Sequence, residues 1–155
     1  MENLSELLSK FRSFIPFAES LRGMSGEQWN RPLQPGKWPV CGVIGHMMLW
    51  DEHFKDNAIS PIAAGASLTL KHTDFDAFNA QAASYASSVG QNELIDACIL
   101  QRRQLVELLE SLSPGQCEAN YLDGDGNAFT IRAYLVDFID HDRHHRLQIE
   151  ALPNA

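Results

Sequence analysis

Asp137-Phe138-Ile139-Asp140-His141-Asp142-Arg143-His144-His145-Arg146-Leu147-Gln148-Ile149 is the stretch on which the reading of this chain turns. Together with Ile131, Tyr134 and Leu135 just before it, its apolar residues recur at helical spacing, which predicts an amphipathic last helix with Thr130 as its cap. Residues four apart share a helix face, so His141 and His145 present two imidazoles to one point, on the flank of the apolar stripe, while His144 is rotated away. Two such rings make half a metal site.

Outward from there, the best source of a third ring is His46, in Gly45-His46-Met47-Met48-Leu49-Trp50. Pro39 suits the start of that helix, and Val40, Val43, Ile44, Met47, Trp50 and Phe54 form its stripe, with His46 at the edge. His53 lies two turns later, about 10 Å along the axis, too far to share an ion with His46. Neutral imidazoles suit divalent metals, and three protein nitrogens leave positions open to water or substrate, as catalytic sites require. Asp137, one turn before His141, has two readings: a carboxylate accepting the spare ring proton of His141, or part of a solvated face, the second preferred. His53, His144 and Asp51 are candidate substrate-facing groups that also read as surface or structural residues.

The rest of the chain is helical in pattern. Leu4, Leu7, Leu8, Phe11, Phe14, Ile15, Ala18 and Leu21 predict one helix over about residues 3 to 22, kinked at Pro16 and stopped at Gly23. Residues 25 to 37 read as a loop, bracketed by Trp29 and Trp38 as anchors on the core. Ser60-Pro61 reads as the end of the His46 helix, and residues 62 to 73 as a long connection whose length permits a crossover. Asp74 to Ser113 reads as one broken third helix, interrupted at Gly90 and renewed with Asn92 as cap. Asp123-Gly124-Asp125-Gly126-Asn127 predicts a hairpin turn; as a calcium loop it would need a glutamate where Tyr134 stands. The sum is an all-α protein, four helices around one core, in a single domain over residues 1–155.

Composition narrows the function. A net charge of -8, from 20 acidic and 12 basic residues with no basic run, disfavours nucleic acid. No apolar run approaches the length of a membrane span, and Met1-Glu2-Asn3-Leu4-Ser5-Glu6 lacks the features of a signal peptide, so a cytoplasmic location is expected. Cys41, Cys98 and Cys117 form no Cys-x-x-Cys pair, against a disulfide framework or thiolate zinc site; each reads as a small buried residue, with a thiol role kept open for Cys41. There is no His-Glu-x-x-His helix, no Gly-x-Ser-x-Gly elbow, no phosphate-cradling glycine loop and no Glu-x-x-His pair for a di-iron centre.

Trp38, then His46 on an amphipathic helix, then His141-x-x-x-His145 followed by Gln148-Ile149, resembles the DinB/YfiT superfamily, and the resemblance spans nearly the whole chain. It implies a four-helix bundle with an up-down-down-up course and a long crossover between helices 2 and 3. It also implies a divalent metal, zinc or nickel, on His46, His141 and His145, and a homodimer. Relatives with known chemistry are chiefly transferases and isomerases that use low-molecular-weight thiols, and some were proposed as hydrolases. The expected function is therefore a metal-dependent S-transferase or hydrolase acting on a small molecule. The competing reading, from another class, is a non-catalytic metal-binding or dimerising stress protein.

Overall fold

Asn3 starts the first helix with a reciprocal cap: its side chain accepts from the Glu6 N–H while Glu6 accepts from the Asn3 N–H. The computed structural model describes residues 2–152. In it the first amphipathic stretch is two helices, α1 (Leu4–Arg12) and α2 (Phe14–Ser20), followed by a 3-10 turn (Leu21–Gly23). Pro16 explains the break. It has no N–H for the Arg12 carbonyl and its ring crowds that group, so α1 ends there and the proline sits in the first turn of α2.

The stretch expected as loop contains a short helix, α3 (Gly26–Asn30), capped by Ser25. Trp29 is buried and Trp38 half-buried, which fits their reading as anchors. Then α4 (Val40–Phe54) runs through one π-helical turn (Lys55–Ile59) into α5 (Ser60–Ala64), so Ser60-Pro61 does not end the helix. Pro61 cannot donate to the carbonyl of Asn57. That oxygen accepts instead from the Thr69 N–H at 2.9 Å and the Leu70 N–H at 3.1 Å, where the connection folds back. With its lost partner replaced, the proline rides inside the helix.

The expected broken third helix is two helices running in opposite directions. Asp74 caps α6 (Phe75–Ser88), Val89 and Gly90 are extended, and Gly90 rather than Asn92 is the cap of α7 (Gln91–Ser111). Phe78 packs on Trp50 and His53 while Ala86 meets Gly45, so α6 runs antiparallel to α4. Gln101 lies beside Glu52 and Gln104 beside Lys55, so α7 runs parallel to it. The crossover thus includes a helix of its own. At Gly45 the α4 and α6 backbones touch: a Cβ there would lie 2.8 Å from the Ala86 Cβ and 3.0 Å from the Ala82 carbonyl oxygen.

After α7 comes α8 (Pro114–Glu118), closed by a Ser113/Gln116 capping box, then the expected hairpin, β1 (Tyr121–Leu122) paired antiparallel with β2 (Ala128–Phe129). Asp123 accepts from the Asp125 and Asn127 N–H groups and Asp125 from the His72 N–H. These carboxylates serve the backbone as a turn, not a calcium loop. Thr130 caps α9 (Ile131–Glu150), accepting from the Ala133 N–H at 3.1 Å. Arg132 reaches the Glu2 carbonyl and Arg146 covers Phe17, so α9 runs with α1 and α2; Phe54 meets Tyr134 where His46 meets His145, so it runs against α4. Among the described residues, α1/α2, α4/α5, α7 and α9 form an up-down-down-up four-helix bundle. Among the described residues no helix is long and apolar enough to cross a membrane.

Two apolar clusters fill the bundle. One gathers Phe17, Trp29, Ile44, Ile95 and Ile149; the other Phe11, Ile59, Leu105, Ile131 and Leu135. Arg102 stands at their junction, between Ile99 of the first and Leu105 of the second, and is fully buried. Cys41 is buried, and burial pushes its thiol up from the ordinary value, so it is a core residue rather than a reactive one.

Candidate metal centre

The fold brings His46 of α4 against His141 and His145 of α9. His141 Nε2 lies 3.0 Å from His46 Nε2 and 3.2 Å from His145 Nε2, and the three ligand atoms lie within 4.8 Å of one another. His46 is only 6% exposed; the other two are half-buried. Nitrogens sharing one zinc-sized ion at about 2.0–2.1 Å each sit roughly 3 to 3.5 Å apart, which is the separation seen in both close pairs.

Hydrogen-bond accounting says which atoms face inward. Trp50 Nε1–H, a donor only, points at Asn79 Oδ1 at 3.2 Å, which fixes that oxygen as an acceptor. His46 Nδ1, 2.8 Å from the same oxygen, must then carry the ring proton, leaving Nε2 as a bare lone pair. His145 Nδ1 faces Gln148 Oε1 at 3.1 Å, and with that oxygen accepting the ring proton sits on Nδ1, leaving Nε2 as a lone pair. A single proton on His141 Nε2 is all that remains to serve two lone pairs. The donor set therefore fits a divalent cation better than it fits itself.

Electrostatics agree. Burial lowers the His46 pKa to about 4 and the His141 pKa to about 3, the charges of neighbouring histidines adding to the effect; burial lowers His145 as well. All three rings are neutral at neutral pH, so protons do not compete for the nitrogens. Trp38 and Trp50 flank His46 at ring-centroid distances of 5.3 and 6.4 Å, and Phe138 lies 5.3 Å from His141, walling the site with apolar surface.

The other candidate residues fall elsewhere. Asp51 is 1% exposed and faces Arg102, not a substrate. Burial pushes its carboxyl up to about 6 against the pull of the guanidinium. Arg102 donates to Asp51 through Nε and Nη2, to Asp142 through Nη1 and Nη2, and to the Phe11 carbonyl through Nη1, at 2.7–3.1 Å. Burial works against its charge, but the two carboxylates outweigh it and hold its pKa above the ordinary value. His53 is wedged among Trp50, Phe54 and Phe78, away from the three-histidine cluster. Asp137 is exposed and joins no hydrogen bond or ion pair among the described residues, so the solvated-face reading holds. Sequence reasoning missed Asn79, and it quoted Gln148 only as part of the family motif without giving it a role. Gln148, three residues after His145, was within reach of helical spacing; Asn79, on another helix, had no signal.

Beside His145 the site opens into a cleft of about 780 Å³ between α9 and the segment before α4. Its walls include Lys37, Trp38, Val43, His144, Leu147 and Gln148. His144 is exposed on its rim.

Comparison with known proteins fits this geometry. The family model of the DinB superfamily matches residues 16–149. YfiT from Bacillus subtilis, described as a probable metal-dependent hydrolase with an unusual four-helix bundle topology, is similar in structure with a TM-score of 0.69 and 16% identity, over 94% of this chain and 81% of that one. The mycothiol-dependent maleylpyruvate isomerase is similar with a TM-score of 0.77 and 14% identity, over 97% of this chain; the present chain spans 62% of the isomerase. At such identities the likeness is one of fold. No curated protein matches the sequence. The family match, covering most of the length, is decisive: the chain belongs to the DinB superfamily.

Proposed function

We propose that this protein is a divalent-metal-dependent enzyme acting on a small molecule, with the ion held by His46, His141 and His145 and the substrate in the adjoining cleft. The observation that carries the reading is the convergence of three Nε2 atoms, two of them stripped of their protons by Asn79 and Gln148. With a divalent ion on these three histidines, the open coordination position would lower the pKa of a water or a low-molecular-weight thiol and so supply a nucleophile at neutral pH. The chain's own residues do the positioning. Asn79 orients His46, Gln148 orients His145, and Trp38 and Trp50 keep bulk water from the buried side of His46. The finer reaction we assign is transfer to or from a thiol, supported by the thiol dependence of the structurally similar isomerase, with hydrolysis as the variant in which water takes the thiol's place.

Elemental analysis of the purified protein tests the site. About one equivalent of zinc, nickel or a similar ion is expected, lost in His46→Ala and His145→Ala variants that remain folded; unchanged metal in either variant removes that residue from the site. A panel of thiols with electrophilic acceptors, run on metal-loaded protein, tests the chemistry. Thermal stabilisation by metal without turnover of any acceptor would favour a non-catalytic bundle.

A further inference from the structure

Across the cleft from α9 stands a small, closed loop. Leu33 N–H donates to the Trp38 carbonyl at 2.9 Å, Pro32 bridges to Pro39, and within this frame Lys37 N–H donates to the Gln34 carbonyl at 2.9 Å. Gln34-Pro35-Gly36-Lys37 is thus a hydrogen-bonded turn, with proline second and Gly36 third at φ +77°. That is the type II arrangement, in which proline presets its own φ and glycine takes the left-handed position at no steric cost. The loop that carries Lys37 is therefore pre-ordered by its own sequence rather than by any ligand.

The chemistry of the cleft is unlike that of the molecule around it. The protein carries 20 acidic against 12 basic residues, yet among the described residues no aspartate or glutamate lines this cleft. Its ionisable groups are Lys37, His144 and His145, and Lys37 has no ion-pair partner among the described residues. Trp38, next to Lys37 in the chain, has its ring 5.3 Å from that of His46, and Val43 and Leu147 add further apolar wall to the cleft. A cation with no ion-pair partner among the described residues, carried by an ordered turn on a largely apolar cleft that His145 also lines, describes the complement of a particular kind of ligand.

We propose that Lys37 is the anchor for a carboxylate, and that the substrate is an amphipathic carboxylic acid whose apolar body lies along Trp38 and whose reacting end faces His145. The inference rests on the cleft being the substrate site of the metal-dependent enzyme proposed above. One ammonium, with neutral amides nearby at Gln34 and Gln148, matches a singly charged carboxylate better than a phosphate, which draws on several donors at once.

The test uses hexanoate and its neutral counterpart hexanamide as probes, followed by amide and indole NMR shifts at Lys37, Trp38 and Gln148. Hexanoate is expected to shift these signals and to bind about fivefold more tightly than hexanamide, the preference an exposed ion pair supplies. Lys37→Gln removes that preference and leaves hexanamide binding unchanged; Lys37→Glu reverses it, so that hexanamide binds more tightly than hexanoate. Equal affinity for the two probes, or a hexanoate preference that survives Lys37→Gln, overturns the proposal. Repeating the titration with His46→Ala separates this from the metal reading. A preference kept in His46→Ala and lost in Lys37→Gln places the anchor at the lysine whether or not a metal binds. A preference lost in His46→Ala and kept in Lys37→Gln sends the carboxylate to the ion and ends the proposal.

Discussion

Two polar clusters tie α4 to α9, one through His46 with His141 and His145, the other through Asp51 and Asp142 with Arg102, and their hydrogen-bond balances are opposite. In the Arg102 cluster a guanidinium with five N–H donors makes five hydrogen bonds, to Asp51, Asp142 and the Phe11 carbonyl, sandwiched by the rings of Phe11 and Phe14 at 3.9 and 4.5 Å. Nothing is left over. In the histidine cluster the outward nitrogens of His46 and His145 are satisfied by Asn79 and Gln148, and the three inward ones have at most one proton to share among them. A closed cluster is a structural joint; an open one is a binding site. The neighbouring positions His141 and Asp142 on one helix serve one of each.

The sharpest way to break this contrast is Arg102→Met. It leaves two buried carboxylates facing each other without a counter-charge, and removing one partner of such a network costs about 3–5 kcal/mol. The variant should unfold at markedly lower denaturant concentration than the parent. A midpoint within experimental scatter of the parent's would mean that the cluster does not join the helices energetically.

Asn79→Ala probes the open cluster at its orienting residue. It frees the His46 ring to adopt the other tautomer and strands the Trp50 N–H. Loss of such an outer partner typically weakens metal binding about 10–100-fold. Chelator competition reads this directly, and the Arg102 cluster, which Asn79 does not touch, should hold the stability near the parent's. Unaltered metal affinity would show that the tautomer argument places too much on one amide.

The same contrast explains what was legible in the linear chain. Helical spacing suffices to pair His141 with His145 and to place His46 on the inner edge of its helix, because a helix face is a local property. The bundle and its course followed from the apolar stripes and from the resemblance carried by those histidines. Arg102 was invisible for a physical reason: a buried arginine on a helix face reads as solvated until its partners, about fifty positions before it and forty after it, are known to converge. The Asn79 contact has the same origin. Pro61 misled because its break in the ladder is repaired by Thr69 and Leu70, across a connection whose path the sequence does not state. The reversal between α6 and α7 was hidden at Val89-Gly90, where Gly90 marks an interruption without saying whether the chain kinks or turns back.

Acidification should separate the clusters more gently. The folded state holds the three imidazoles below their ordinary value of 6.5, His46 at about 4 and His141 at about 3, by burial first. Between pH 6.5 and about 4 these three rings therefore bind more protons in the unfolded chain than in the folded one, and their contribution to stability falls as pH falls, against the opposite slope of Asp51, whose raised carboxyl is protonated first in the folded state. The contribution is present in full above pH 6.5 and is lost progressively below it. Urea titrations from pH 7 to 4.5 should show the decline, and a His46→Ala variant should show a shallower one. A slope indifferent to that substitution would assign the acid sensitivity to other groups.

The smallest effect is expected from Asp137→Asn. On the helical wheel Asp137 is one turn from His141 and a formal candidate to receive its ring proton, but the side chain is exposed and has no partner among the described residues. His141 Nε2 already faces both neighbouring histidines, and Phe138 packs against its ring. An exposed charge near such a site contributes only through water, where a single interaction is worth up to about 1 kcal/mol and commonly less. Metal affinity should therefore change by less than about fivefold, and that change should shrink as salt is added. A loss as large as that of Asn79→Ala, persisting at high salt, would mean that the carboxylate closes on His141 when the metal binds, and would make the open cluster larger than the one the structure shows.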